Sequence, residues 1–359
     1  MIFNLKNISC IYSNSVNPVL KISNLEIKQA EIVFIIGASG VGKTQTMKVI
    51  TRELSSFGVK PIIIDFNQDF VGSNFTQSVG AEIHNAETGI NFNPLAIPKN
   101  KNPLFQSYQI AAVLGKIFNL GTQQQANLKN AIMKTYESNE INSETCVNDD
   151  TSFPSFGELE EFIEETNDTK LLNRIKVLFD FNLFQGQVGF QEGFLNKGHV
   201  FNLNDKLPDE ETKKSVAAMI LMGTYNTLLG LSHSPRNIRL AIMVDEAHKV
   251  ANLKEMKILL KEGRKYGCAV FLSSQEATDF EASVYSNIGS LLCLKLPETD
   301  NSKMIAVQIG SESRHKILAE DIRNLPPFEG YFKNDHYNKS FAKIKIENYF
   351  ERFGNWGND

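Results

Sequence analysis

The chain has no apolar stretch approaching the roughly 18 residues that a membrane-crossing helix needs, although 42% of its 359 residues are hydrophobic. No membrane span is expected. Its opening, MIFNLKNIS, lacks the basic start and long apolar segment of an export signal, so the expected compartment is the cytoplasm. Cysteine is scarce. Cys10, Cys146, Cys268 and Cys293 stand far apart without metal-ligand spacing, and Cys268 and Cys293 fall in apolar runs, where a reduced thiol acts as a small hydrophobe. Positive charge is not in excess either: the formal net charge is -4, which argues against coating nucleic acid by bulk attraction. Any DNA contact has to come from a local basic surface or a shared pore. There are no internal repeats or low-complexity tracts. The length fits one large α/β domain with an insertion, or two ordinary domains.

The strongest signal that is present is EIVFIIGASGVGKT, residues 31–44: an apolar run, then G-x-x-x-x-G-K-T, then the helix-compatible QTMKVITREL. The glycines let backbone N–H groups turn inward around phosphates at a helix N-terminus. Lys43 supplies a point charge to the β- and γ-phosphates, and the Thr44 hydroxyl ligates Mg²⁺. The nucleotide-binding set is therefore Gly37, Ala38, Ser39, Gly40, Val41, Gly42, Lys43, Thr44 and Gln45. No N-K-x-D base-reading segment is present, so the expected nucleotide is ATP rather than GTP.

A second signal is RLAIMVDEAHKV, residues 239–250. Its continuous apolar run suits a strand buried on both faces, and it ends in two acids. Beside a phosphate-binding loop, Asp245 is placed to hold the Mg²⁺ shell and Glu246 to polarise the attacking water. His248 and Lys249 read as local helix-start residues. PIIIDF (61–66), GHVFNLN (198–204), CAVFLSSQ (268–275) and SLLCLKL (290–296) add further buried strands, alternating with helical patterns as in a parallel sheet covered on both faces. Polar residues gather at the C-terminal ends of these runs, the edge where ligands bind in open α/β sheets. Gln275 there either senses the γ-phosphate and orients the water, or merely caps its strand. Asp65 reads as structural or ribose-proximal.

From Pro94 to Leu195 the pattern turns helical. YQIAAVLGKIFNL and QANLKNAIMKTY are amphipathic, Ser155 with Glu158 forms a capping box for FGELEEFIEET, and TKLLNRIKVLFDF supplies a fourth helix. EETKKSVAAMILMGTYNTLLG is a further helix returning to the sheet. The expected organisation is a short N-terminal β segment (1–30), an ATPase core (31–95 and 196–335), a helical insertion (96–195) and a C-terminal strand and tail (336–359).

Taken in order, GASGVGKT, PIIIDFNQDF with GINFNPLAIP, the helical insert, GHVFNLND, IMVDEAHKV, EGRKYGCAVFLSSQEATDF and LPPFEGYF resemble the HerA/FtsK-type motor ATPases, most closely the HerA branch and the related conjugation and type IV secretion ATPases. The resemblance spans residues 31–333. It implies a RecA-like P-loop core in an α/β fold with a mostly parallel sheet, assembly as a homo-oligomeric ring, usually a hexamer, and ATP-driven, Mg²⁺-dependent movement of DNA, duplex DNA in particular, through the pore, often beside a nuclease or other effector. Two departures stand out. HerA proteins carry an N-terminal barrel, whereas only thirty residues precede Glu31 here, so the partner-docking surface is expected to be reduced or absent. Those residues, with Tyr12 and VLKISNLEI, also resemble the opening of ABC ATPases, in which an aromatic stacks on adenine; Tyr12 is either that aromatic or an ordinary strand tyrosine. No LSGGQ-like segment precedes IMVDEAHKV, which leaves an ABC-type dimer as the alternative engine. A nucleotide-gated assembly module is the other alternative, and an intact Glu246 disfavours it.

The stretch ANLKEMKILLKEGRKYG places Leu253, Met256, Leu259 and Leu260 on one helical face and Lys254, Lys257 and Lys261 toward solvent. Arg264 then sits at the far end of a helix starting beside Glu246. In a ring it can meet a neighbour's γ-phosphate, where a planar guanidinium stabilises transition-state charge. The competing reading is that Arg264 and Lys265 complement the helix's negative C-terminal end.

Overall fold

The computed structural model describes residues 2–10, 20–28, 32–99, 101–145, 147–148, 151–186, 192–204, 207–234, 237–334, 341–346 and 348–353. Tyr12, and with it the question of adenine stacking, lies outside these residues. The chain forms two compact units, one made of Met1–Ile64, Asp69–Ala81 and His233–Asp359, the other of Asp65–Gln68 and Glu82–Ser232.

In chain order, the first unit opens with β1 (Ile2–Cys10), β2 (Leu20–Lys28), β3 (Ile32–Ile36), α1 (Lys43–Ser56), β4 (Lys60–Asp65) and α2 (Ser73–Val79). The second unit supplies β5 (Ala81–Asn85), α3 (Pro103–Ile117), α4 (Thr122–Ser138), α5 (Glu158–Glu165), α6 (Thr169–Ile175), α7 (Val177–Asp180), β6 (Gly198–Asn202) and α8 (Glu210–Leu229). The chain then returns to the first unit as β7 (Leu240–Val244), α9 (Lys254–Glu262), β8 (Cys268–Ser274), α10 (Ala282–Tyr285), β9 (Ser290–Cys293), α11 (Thr299–Ile309), α12 (His315–Asn324), β10 (Glu329–Asn334), β11 (Phe341–Lys345) and α13 (Tyr349–Phe353). No helix among the described residues is long and apolar enough to cross a membrane.

Within the first unit the strands lie in the order β11, β10, β9, β3, β8, β7, β4. β3 pairs in parallel with both β8 and β9, and β7 pairs in parallel with β8 and β4. β10 joins β9 and β11 antiparallel, and β1 with β2 forms a separate antiparallel ribbon. The fold is thus α/β with a mostly parallel sheet and a short N-terminal β segment. Every residue of β3, β7 and β8 is buried, as expected of strands covered on both faces. Phe34, Ile35, Ile36, Ile62, Ile63 and Ile64 have no exposed surface, and each such side chain contributes about 1.5–3 kcal/mol relative to exposure. The parallel strands share one C-terminal edge, where the chain must turn without a ladder partner.

In the second unit, Asn102 caps α3 by accepting the Phe105 amide at 2.8 Å, with Pro103 at the first helical position. The Ser155–Glu158 capping box forms as expected: Glu158 Oε1 accepts the Ser155 amide at 2.9 Å and Ser155 Oγ accepts the Glu158 amide at 3.3 Å. Helix α8 is apolar all round from Val216 to Met222, and that stretch is buried all round. The single helix expected over 169–181 is interrupted at Lys176 into α6 and α7. There Lys176 Nζ pairs with Glu160 and Asp180 at 3.0 and 3.5 Å.

Candidate active site

The loop over residues 37–42 leaves β3 and enters α1, and its shape depends on two left-handed residues, Gly40 (φ 77°) and Gly42 (φ 107°). It is tied down at its start, where the Gly37 amide donates to Ser274 O at 3.2 Å and the Ala38 amide to Lys295 O at 2.8 Å. The N-terminus of α1 has no side-chain cap and no acid in its first turn. Its partial positive charge, roughly half an elementary charge, is therefore directed at whatever anion sits in the loop. The buried Lys43 Nζ donates to Gly37 O at 2.8 Å and Ala38 O at 2.9 Å. Burial holds its ammonium below the ordinary lysine value, while Asp245, Glu246 and Asp69 act in the opposite direction.

Two side chains from distant parts of the sequence meet beside this loop. Thr44 Oγ1 donates to Asp245 Oδ2 at 3.1 Å, linking the first turn of α1 to the end of β7. Asp245 is 2% exposed, and burial pushes its carboxyl above the usual aspartate range, with Glu246 adding to the effect and the Thr44 hydroxyl opposing it. Asp245 Oδ1 accepts the Glu246 amide at 3.0 Å. Glu246 itself adopts a left-handed backbone (φ 54°), a conformation costing a non-glycine residue about 1–2 kcal/mol. That turn coincides with the carboxylate's position at 2.9 Å from Gln275 Nε2, which donates to Oε1, while Oε2 lies 3.4 Å from His248 Nδ1.

The structure therefore brings together Lys43, Thr44, Asp245, Glu246 and Gln275. Ser39 and Gly40 are exposed at the loop tip, and Gln45 follows on α1 with a buried Oε1 that has no hydrogen-bond partner. His248 and Lys249 lie in a 3₁₀ turn, Ala247–Lys249. Asp65 belongs to the second unit, where its Oδ1 accepts the Asn67 amide at 3.1 Å and its carbonyl accepts the Leu203 amide at 2.7 Å. The helix after the acids begins at Lys254 rather than beside Glu246, and it ends at Glu262. Arg264 and Lys265 are exposed on a following 3₁₀ turn, Gly263–Tyr266. Gly267 (φ 76°) stops that turn, and a Cβ there would lie 2.3 Å from Asn237 O. The apolar face is as read, with Leu253, Met256, Leu259 and Leu260 buried, while Lys257 pairs with Glu281 at 2.8 Å.

Two residues escaped the sequence reading. Asp69, in the same PIIIDFNQDF stretch as Asp65, is close enough for its charge to act on Lys43 and Glu246, and burial raises its carboxyl above the usual range. Phe328, in LPPFEGYF, holds a left-handed backbone (φ 61°) and donates its amide to Val41 O at 3.3 Å. Its ring covers Gly42 so closely that a Cβ on that glycine would lie 2.7 Å from it.

The family model for the central domain of the HerA helicase matches residues 32–221, more than half of the chain. The chain belongs to the HerA helicase central-domain family. A second model, for the DNA-binding domain of type IV secretion-system coupling proteins, matches residues 190–313. A probable helicase of Methanocaldococcus jannaschii is 22% identical over 343 residues, covering 89% of this chain; the HerA-family chain described here spans 63% of that relative's length. The phosphonates import ATP-binding protein PhnC of Mycoplasma mycoides is 34% identical over 83 residues, 23% of this chain and 32% of its own. Among solved structures, VirB4 of Thermoanaerobacter pseudethanolicus superposes with a TM-score of 0.69 at 21% identity, covering 88% of this chain and 89% of that one. The plasmid coupling protein TrwB in complex with ADP and Mg²⁺ gives 0.64 at 14% identity, covering 97% and 95%. The HerA-family chain thus shares the RecA-like P-loop fold of these proteins.

Proposed function

We propose that this chain binds ATP with Mg²⁺ in the loop over residues 37–45, hydrolyses it, and uses the cycle to move duplex DNA through a homo-oligomeric ring, a hexamer. The observation that carries the chemistry is the Thr44–Asp245 contact of 3.1 Å, with Glu246 and Gln275 arranged beside it. An uncapped helix N-terminus, two left-handed glycines and a buried lysine form a fitting cradle for a polyphosphate. Thr44 and Asp245 would hold Mg²⁺, an ion that supplies positive charge to the phosphate oxygens when bound. Lys43 gives up its contacts to Gly37 O and Ala38 O and turns its ammonium to the β- and γ-phosphates. Glu246, fixed by Gln275, accepts a proton from the attacking water. Arg264 acts on the γ-phosphate of the neighbouring subunit.

Family membership supports the motor reading, and the match to a coupling-protein DNA-binding domain supports DNA as the polymer moved. We assign the motor core to residues 31–95 and 196–335 and the helical insertion to 96–195, with a nuclease or other effector as the partner class. The test has two parts. Phosphate release from ATP should require Mg²⁺ and disappear in Lys43→Ala, and DNA binding should require nucleotide-competent oligomers and weaken steeply with salt. Undiminished hydrolysis by Lys43→Ala, or equal DNA binding by a monomer, would overturn the corresponding part.

A further inference from the structure

The second unit carries a cluster made of residues other than those assigned to the nucleotide site. Glu82 and His84 lie two residues apart on β5, hence on one face of that strand. His199 comes from β6, the adjacent strand. Each of these three residues offers a ligand atom, and the three atoms lie within 4.8 Å of one another. His84 and His199 are 7% and 3% exposed, whereas Glu82 is exposed to solvent, with Lys197 Nζ 3.8 Å from its carboxylate.

The His199 imidazole is oriented as a ligand's is. His199 Nε2 lies 2.8 Å from Phe194 O. A carbonyl only accepts, so His199 Nε2 carries the proton and, in the neutral ring, Nδ1 presents a lone pair. That lone pair faces His84 Nε2 at 3.0 Å. Donation of the second ring nitrogen to a backbone carbonyl is how a metal-binding histidine has its tautomer and ring plane fixed. The rings are also clamped: Phe194 stacks on His199 with centroids 3.6 Å apart, and Phe201 stacks on His84 at 4.7 Å.

We propose that Glu82, His84 and His199 form a binding site for a divalent transition ion, Zn²⁺ in particular, that clips β5 to β6 and keeps a coordination position open toward solvent. Two imidazoles and one carboxylate are a donor set suited to Zn²⁺ and its transition-metal neighbours rather than to Mg²⁺ or Ca²⁺. The two imidazoles need only a small opening, while the exposed Glu82 carboxylate, within 4.8 Å of them, swings in to complete the set. Two nitrogens at tetrahedral angles on Zn²⁺, each at about 2.0–2.1 Å, stand roughly 3.3 Å apart, against 3.0 Å here. The competing reading is a plain hydrogen bond in which His84 Nε2–H donates to His199.

The experiment uses the full chain freed of any affinity tag, stripped with chelator and held in excess Mg²⁺ so that the nucleotide site is not scored. Zn²⁺ is titrated against a chromophoric chelator, and Co²⁺ is added separately for its visible absorption. One Zn²⁺ per chain is expected, with a tetrahedral or five-coordinate Co²⁺ spectrum. His84→Gln and His199→Gln should lose the ion. Glu82→Gln, at an exposed position, should weaken it by at least ~10-fold, so the idea stays testable if a histidine variant fails to fold. Lys43→Ala should bind Zn²⁺ as the wild type does, which separates this site from the nucleotide site. No stoichiometric Zn²⁺ in the wild type, or an affinity unmoved by Glu82→Gln, would overturn the assignment.

Discussion

Replacing Glu246 by glutamine isolates the chemical step from binding and folding. The side chain keeps its shape and the left-handed backbone is unchanged, so the approximately 1–2 kcal/mol of strain there is common to both proteins. The carboxamide of the Glu246→Gln variant still offers a carbonyl oxygen to Gln275 Nε2, the contact that Glu246 Oε1 makes at 2.9 Å. Thr44, Asp245 and Lys43 are untouched, and ATP affinity should remain within about 2-fold, a change of only ~0.4 kcal/mol. What disappears is the carboxylate proposed to accept a proton from the attacking water. General base catalysis is worth about 10²–10⁴ in rate, or roughly 2.7–5.4 kcal/mol of barrier. Steady-state phosphate release should therefore fall at least ~100-fold while binding of a fluorescent ATP analogue holds. Turnover within a few-fold of wild type, in a variant that binds the analogue normally, would refute Glu246 as the base. A parallel loss of affinity and rate would instead mean that the residue supports the loop.

Gln275→Ala removes the donor that fixes Glu246; kcat is expected to fall about 10-fold, roughly 1.4 kcal/mol, with KM little changed, as steady-state kinetics would show. Gly42→Ala forces a Cβ against the Phe328 ring at 2.7 Å and into a left-handed backbone costing about 1–2 kcal/mol, so nucleotide binding should be lost and the melting temperature lowered. Adding Phe328→Ala to that variant relieves the collision but not the backbone cost, and calorimetry should show only part of the stability returning. Arg264→Ala should keep its fold and ATP affinity yet lose turnover. Mixing it with Glu246→Gln should restore some activity at interfaces that combine an intact Glu246 with a neighbour's Arg264; no recovery in demonstrably mixed rings would make Arg264 structural.

What could be read from the sequence was whatever a local pattern encodes. β3, β7 and β8 announce themselves as unbroken apolar runs because they are buried on both faces. The glycine spacing before Lys43 and the acids after Val244 mark, by position alone, residues that the fold brings together. Gln275 was legible for the same reason, as the first polar residue after a buried strand. β5 was not: it is only five residues long, and Glu82 and Ile83 are exposed, so it shows no apolar run. The end of α9 was blurred because Lys261 through Tyr266 continue a helical composition, and only Gly263 and Gly267 signal the tightening into a 3₁₀ turn. Asp69 and Phe328 sit in loops and act by proximity across the fold, which no local spacing reports. The pairing of His84 with His199 spans 115 positions and exists only once β5 and β6 are adjacent.

The central claim, an ATP-driven ring working on DNA, is tested most directly by measuring solution mass with and without a non-hydrolysable ATP analogue alongside ATPase rate with and without duplex DNA. The account predicts assembly to a hexamer with the analogue and a rate stimulated by DNA only under conditions where that assembly forms. A particle that stays a monomer or stops at a dimer, hydrolysing ATP at a rate indifferent to DNA, would contradict it.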